Sequence, residues 1–264
     1  MAISSTAPAV GTVSLVGAGP GDPELLTLKG ARLLREAESV FYDALANEAL
    51  LAHCTPEAEK VFVGKRAGQS SPAQADITQQ LIAAARAGKR VVRLKGGDSL
   101  LFARGAEEWE ALTAAEVPVE VVPGITAALG ASAALPEPLT DRRSSHAVTF
   151  LPGQLDPALD HPDASAPPLP WSRYAQAGET LVFYMAMRRL AAITAELQAA
   201  GRPADNPVTV VQWATTPRQR VLRSTLQDVA KASKAAGLGA PAVVIVAPVS
   251  ERQLLPDSAS GSAK

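Results

Sequence analysis

The sequence predicts a two-domain α/β protein, with a parallel-sheet domain followed by a mixed-sheet domain. Three observations predict it. Short β-branched runs alternate with longer helical patterns over the first half of the chain, which is the rhythm of βαβ units. That rhythm breaks after Thr140, and residues 152–171 follow with six prolines and little periodicity. Strand and helix signals then resume, with two neighbouring strands flanking residues 214–218. Those two are placed to pair as a hairpin, which would give the second sheet its mixed character.

In the first domain, strands are expected at residues 13–16, 40–42, 61–63, 91–94 and 119–122. Helices are expected between them at 27–37, 72–87 and 103–115. In the last of these, Trp109, Leu112 and Ala115 fall on one face, and Glu107, Glu108 and Glu110 are expected mostly in solvent. The second domain reads as strand 181–184, helix 190–200, strands 208–212 and 219–224, helix 226–236 and strand 242–246. The expected organisation is a flexible start at 1–11, domains at 12–145 and 146–249, and a disordered Ser/Ala/Gly-rich tail at 250–264.

Composition excludes several functions. With 47% apolar but only 4% aromatic residues, the chain suits helices packed on a sheet better than an aromatic-rich sandwich. A net charge of -1 gives no global attraction to nucleic acid or anionic membrane, so an anionic substrate must meet a local basic cluster. A lone cysteine, Cys54, rules out an intrachain disulfide framework and favours a reducing compartment. The first ten residues lack a basic region and an apolar run, and no apolar stretch is long enough to span a bilayer. A cytoplasmic location is expected. His53, His146 and His161 are isolated and show no metal-ligand spacing, so no metal is expected.

Three glycine-bearing turns follow strands. Gly17-Ala18-Gly19-Pro20-Gly21-Asp22-Pro23 lets the backbone turn sharply and approach a ligand. It departs from the dinucleotide fingerprint, because its spacing is G-x-G-x-G and Pro20 has no N–H to offer. The same residues also suit a tight strand–helix turn without ligand, and the motif alone does not choose. Lys95-Gly96-Gly97-Asp98 and Pro123-Gly124-Ile125-Thr126-Ala127 end later strands in the same way. Ligands of open α/β sheets bind beyond the carboxyl ends of strands, so three such turns together point to a ligand crevice. Asp43 is the carboxylate placed to face it, as a base or as a cap. Lys65, Arg66, Arg104, Arg142 and Arg143 stand at or near strand ends, where guanidinium forks suit a polyanionic ligand.

On these residues a family resemblance rests. The run VSLVGAGPGDPELLTLKGARLL from Val13 to Leu34 resembles the opening of uroporphyrinogen-III C-methyltransferases. So do Phe41-Tyr42-Asp43, Val63-Gly64-Lys65-Arg66-Ala67-Gly68, the VVRLKGGD run ending at Asp98, and VVPGIT ending at Thr126. More loosely, LVFYM ending at Met185 and TTPRQR ending at Arg220 resemble the family's second domain. The resemblance implies a two-domain tetrapyrrole methylase-like fold with the active site in the cleft between domains, and a homodimer. It implies S-adenosylmethionine bound by Pro20, Gly96, Gly97, Asp98, Leu101, Thr126, Ala127, Met185 and Ala214. It further implies Asp43 as proton acceptor, Lys65 as proton donor, and Arg66, Arg104, Arg142 and Arg143 on the substrate carboxylates. The implied reaction methylates uroporphyrinogen III at positions 2 and 7 to give precorrin-2, which feeds sirohaem, cobalamin or haem d1.

Several positions depart from the family pattern. Ser99 replaces a usual proline, Asp141 a usual histidine, and Ala103, Ala186 and Ala214 replace glycines. Leu151-Pro152-Gly153-Gln154 replaces a Val-Thr-Gly-His-like run. A methyl in place of glycine is harmless at negative φ and costly in a left-handed turn. The alternatives are a methylase of a later corrinoid precursor or other acceptor, and a diverged tetrapyrrole- or cofactor-binding protein.

Overall fold

A computed structural model describes residues 10–64, 74–153, 169–175 and 178–247. Much of the proline-rich connection and the whole 250–264 tail lie outside the described residues. The chain divides into two compact units between Gly130 and Ala131.

The first unit is a five-stranded sheet in the order β3-β2-β4-β1-β5. Its strands are β1 (Thr12–Gly17), β2 (Ser39–Tyr42), β3 (Glu59–Phe62), β4 (Arg90–Lys95) and β5 (Val119–Val122). Every pairing is parallel, as expected for strands joined through helices α1 (Leu28–Glu36), α2 (Gln74–Arg86) and α3 (Gly105–Ala114). Thr27 starts α1, its hydroxyl oxygen accepting from the Gly30 N–H at 3.1 Å. Strand alternation sends residues to two cores. Val13, Leu15 and Val91 pack with Ile77, Leu81 and Leu112 from α2 and α3. Val16, Val92 and Leu94 pack with Leu34 of α1 and with Leu50. A sheet covered on both faces explains why its strands read as near-continuous apolar runs.

Helix α4 (Ala127–Ala134) follows β5 and contains the division between units. The sequence boundary at residue 145 coincides instead with the approach to β6 (Ala147–Pro152), the first strand of the second sheet. Neither α4 nor β6 was expected.

The second sheet has the order β6-β7-β10-β8-β9. Strands β7 (Glu179–Tyr184), β8 (Pro207–Gln212), β9 (Arg220–Thr225) and β10 (Ala242–Val246) are accompanied by α5 (Trp171–Tyr174), α6 (Leu190–Ala199) and α7 (Val229–Ala235). The sheet is mixed. β6 and β7 are parallel, β10 is antiparallel to both β7 and β8, and β8 and β9 form the expected antiparallel hairpin. Leu181, Phe183, Val208, Val210 and Val244 share a core with Ile193 and Leu197 of α6 and Val229 of α7. Among the described residues, no helix is long and apolar enough to cross a membrane.

Candidate active site

Parallel pairing places the carboxyl ends of β1, β2, β4 and β5 on one edge of the first sheet, where their loops interlock. Gly19 and Gly97 exchange backbone hydrogen bonds at 3.1 and 2.8 Å. A Cβ on Gly124 would lie 2.2 Å from the Gly97 carbonyl oxygen, and one on Gly17 would lie 2.5 Å from the Gly124 nitrogen. The three glycine turns therefore meet as backbone against backbone, which no larger residue allows. Asp98 welds two of them. Its Oδ1 accepts from the N–H groups of Leu100 and Leu101 at 2.9 and 3.1 Å, and its Oδ2 accepts from the Gly124 N–H at 3.0 Å. The carboxylate is a loop clamp.

The turn after β2 joins this assembly. A Cβ on Gly96 would lie 2.5 Å from the Leu45 Cβ, and Asn47 Nδ2 donates to the Gly21 carbonyl at 2.7 Å. Asp43 opens that turn, its Oδ1 accepting from the N–H groups of Leu45 and Ala46. Its Oδ2 accepts from Arg93 Nη2 at 3.2 Å. Above Gly97 (φ 69), the place of a Cβ lies in ordinary van der Waals contact with Thr126 Cα and Ala127 N, both at 3.9 Å. On and beside these interlocked turns, Pro20, Gly96, Gly97, Leu101 and Ala127 are half-buried and Thr126 is buried.

Beneath Asp43 lies a charge cluster absent from the sequence reading. Arg93 and Lys95 alternate onto the α3 side of β4, and Glu108 of α3 comes down between them, fully buried. Glu108 accepts from Arg93 Nε at 3.3 Å, Lys95 Nζ at 2.8 Å and Gln74 Nε2 at 2.7 Å. Burial, and next the neighbouring Arg93 charge, push the Lys95 ammonium below its usual pKa. The expected orientation of α3 is therefore corrected: Glu108 faces inward with Leu112, and Trp109 is 44% exposed. Two buried cations on one face of a central strand demand an anion opposite, and that demand outweighs the apolar content of the indole. The Arg-x-Lys alternation in VVRLK was the available signal.

Of the expected basic residues, Arg104 belongs to the first unit and Arg142 and Arg143 to the second. Arg104 lies at φ 56 ahead of α3, and its guanidinium grips Glu107 with bonds of 2.9 and 2.6 Å. That hydrogen bond holds the Glu107 carboxyl below the usual range. In the second unit, Arg143 makes a forked pair with Asp141 at 2.9 and 2.6 Å, and Arg142 is exposed. Lys65 and Arg66 lie outside the described residues.

The second unit has its own loop edge. Because β6 runs parallel to β7, and β7 and β8 are both antiparallel to β10, their carboxyl ends share one side of the sheet. That edge carries Gly153, Met185 and Ala214. Met185 (φ 55) is 47% exposed, and Ala214 is buried between Trp213 (φ 52) and Thr215 (φ 64). Arg218 lies 3.7 Å from the centroid of the Trp213 ring, a cation–π contact that fixes this turn. The left-handed positions beside these alanines are Phe102, Arg104, Met185, Trp213 and Thr215, and none of Ala103, Ala186 and Ala214 adopts positive φ. Their methyls add no left-handed strain. A Cβ on Gly153 would lie 2.4 Å from Ala186 Cα, so the glycine there gives the room the alanine takes.

Residues 12–230 match the family described as tetrapyrrole (corrin/porphyrin) methylases. A uroporphyrinogen-III C-methyltransferase from Sinorhizobium sp is 48% identical over 90% of this chain and 84% of its own. A siroheme synthase from Actinobacillus pleuropneumoniae is 46% identical over 93% of this chain and 49% of its own. The chain thus spans about half the length of the siroheme synthases it matches. A crystal structure of a Thermus thermophilus uroporphyrin-III C-methyltransferase, complexed with S-adenyl homocysteine, superposes with a TM-score of 0.74. It is 42% identical and covers 90% of this chain and 92% of that one.

Proposed function

We propose that this chain, which belongs to the tetrapyrrole (corrin/porphyrin) methylases, methylates uroporphyrinogen III at positions 2 and 7 to give precorrin-2. That product would feed sirohaem, cobalamin or haem d1 synthesis. The working assembly is a cytoplasmic homodimer. S-adenosylmethionine, when bound, supplies an electrophilic methyl group, and the reduced pyrrole is a carbon nucleophile. The protein's share is to align the two, exclude water and accept a proton.

One observation carries this reading: the turn that bears Asp43 packs on Gly96, within the interlocked glycine loops. A carboxylate and the interlocked glycine turns therefore share one edge of the first sheet. Gly96, Gly97, Thr126 and Ala127 would hold the donor through main-chain groups, with Pro20, Asp98 and Leu101 shaping that pocket. Met185 and Ala214, from the second unit's loop edge, complete the proposed donor set. Asp43 would accept the proton released as the ring charge collapses, and Lys65 would act as proton donor. Arg66, Arg104, Arg142 and Arg143 would bind the acetate and propionate groups of the macrocycle.

The test supplies purified protein with S-adenosylmethionine and enzymatically generated uroporphyrinogen III under anaerobic conditions, and follows product mass and chromophore. Doubly methylated product is expected. Unchanged uroporphyrinogen III, with methyl transfer only to a later corrinoid precursor, would overturn the choice of substrate.

A further inference from the structure

We propose that Arg93 is a positioning residue for Asp43, aiming its carboxylate from within the buried charge cluster. The proposal rests on the reading of Asp43 as proton acceptor. Arg93 belongs to β4 and pairs in register with Phe41 of the adjacent β2, two residues before Asp43. Its side chain is 5% exposed, and among the described residues two carbonyls and two carboxylates hold its guanidinium. Nη1 donates to the carbonyls of Leu94 at 2.9 Å and Phe41 at 3.5 Å, Nε donates to Glu108 at 3.3 Å, and Nη2 donates to Asp43 Oδ2 at 3.2 Å.

This arrangement divides the work of the Asp43 carboxylate. Oδ1 is occupied by two backbone N–H groups of its own turn, which fix where the group stands. Among the described residues Oδ2 takes one bond, from Arg93, which fixes the rotation of the carboxylate and leaves a lone pair on that oxygen for an incoming proton. Glu108 and Lys95 hold Arg93 in turn. Glu108 also accepts from Lys95 and Gln74, so it retains partners when Arg93 is replaced. The cluster holds two cations, Arg93 and Lys95, against two carboxylates, Asp43 and Glu108. The Arg93 fork reaches three elements at once, a task the single ammonium of lysine cannot reproduce.

The experiment is a double-mutant cycle between Arg93→Gln and Asp43→Asn in the full chain, reading kcat and KM for uroporphyrinogen III with S-adenosylmethionine binding as control. Arg93→Gln is expected to lower kcat by about 10- to 100-fold with KM and cofactor affinity nearly unchanged, and Arg93→Lys to recover part of the loss. In the Asp43→Asn background, itself down roughly 10²–10⁴-fold, Arg93→Gln is expected to add little. An equal loss in both backgrounds, or a loss confined to KM or cofactor binding, overturns the positioning role and leaves Asp43 as base. A near-wild-type rate for Asp43→Asn overturns the base assignment and this proposal with it. Should Arg93→Gln not fold, Arg93→Lys carries the same cycle, with a smaller kcat loss that must likewise vanish beside Asp43→Asn.

Discussion

Arg104 holds φ 56 at the threshold of α3 and closes a forked ion pair on Glu107, with both side chains about half exposed. An exposed pair of this kind contributes at most about 1 kcal/mol to stability. Arg104→Ala should therefore leave the thermal midpoint nearly unchanged. If the guanidinium binds a substrate carboxylate, the same change should lower kcat/KM by roughly 10- to 100-fold, with S-adenosylmethionine affinity intact. Arg104→Lys should recover only part, because an ammonium lacks the fork. Equal kinetics for all three proteins would make the arginine a solvated helix-start residue. Ser99 gives a second prediction at this scale. Among the described residues its hydroxyl is one of two buried side-chain oxygens without a hydrogen-bond partner, the other being that of Ser233. Ser99→Ala removes an unsatisfied group at almost constant volume, so it should stabilise the fold by about 1 kcal/mol. A lowered thermal midpoint would show that the hydroxyl has a partner in solution.

At the scale of elements, the site depends on loops that close only because glycine is present. Gly124→Ala would drive a methyl to within 2.2 Å of a backbone oxygen that has no side chain to move aside. It should destabilise the protein by about 1–3 kcal/mol or more and weaken cofactor binding with it. Gly239→Ala is the control, since nothing lies within 4 Å of the added carbon. Equal thermal midpoints for the two variants would mean that the loop assembly is looser than described. The five parallel strands, the hairpin of β8 and β9 and the glycine turns were all legible in the sequence, because each follows from local periodicity or turn chemistry. Helix α4 escaped because its run of alanines carries almost no polar face to set a period. Strand β6 escaped because it ends in Pro152, where the proline-rich stretch begins. The inward turn of Glu108 escaped for another reason: it answers the charges on β4, and those lie across the sheet–helix interface rather than along the helix.

At the scale of the whole molecule, two compact units carry separate cores, one on a parallel sheet and one on a mixed sheet. Each presents a loop edge at strand carboxyl ends. The fold class was readable from pattern alone. The chemistry was not, because Gly, Asp and Arg at strand ends suit many anionic ligands, and only their combination with the family relationship narrows the choice. The central claim is that this chain places two methyl groups on one reduced tetrapyrrole. Its most direct measurement uses S-adenosylmethionine labelled with carbon-13 in the methyl group, anaerobic turnover with uroporphyrinogen III, and carbon NMR of the isolated product. The account predicts two labelled methyl resonances on quaternary ring carbons, assignable to positions 2 and 7. No labelled tetrapyrrole, or label at any other ring position, would contradict it.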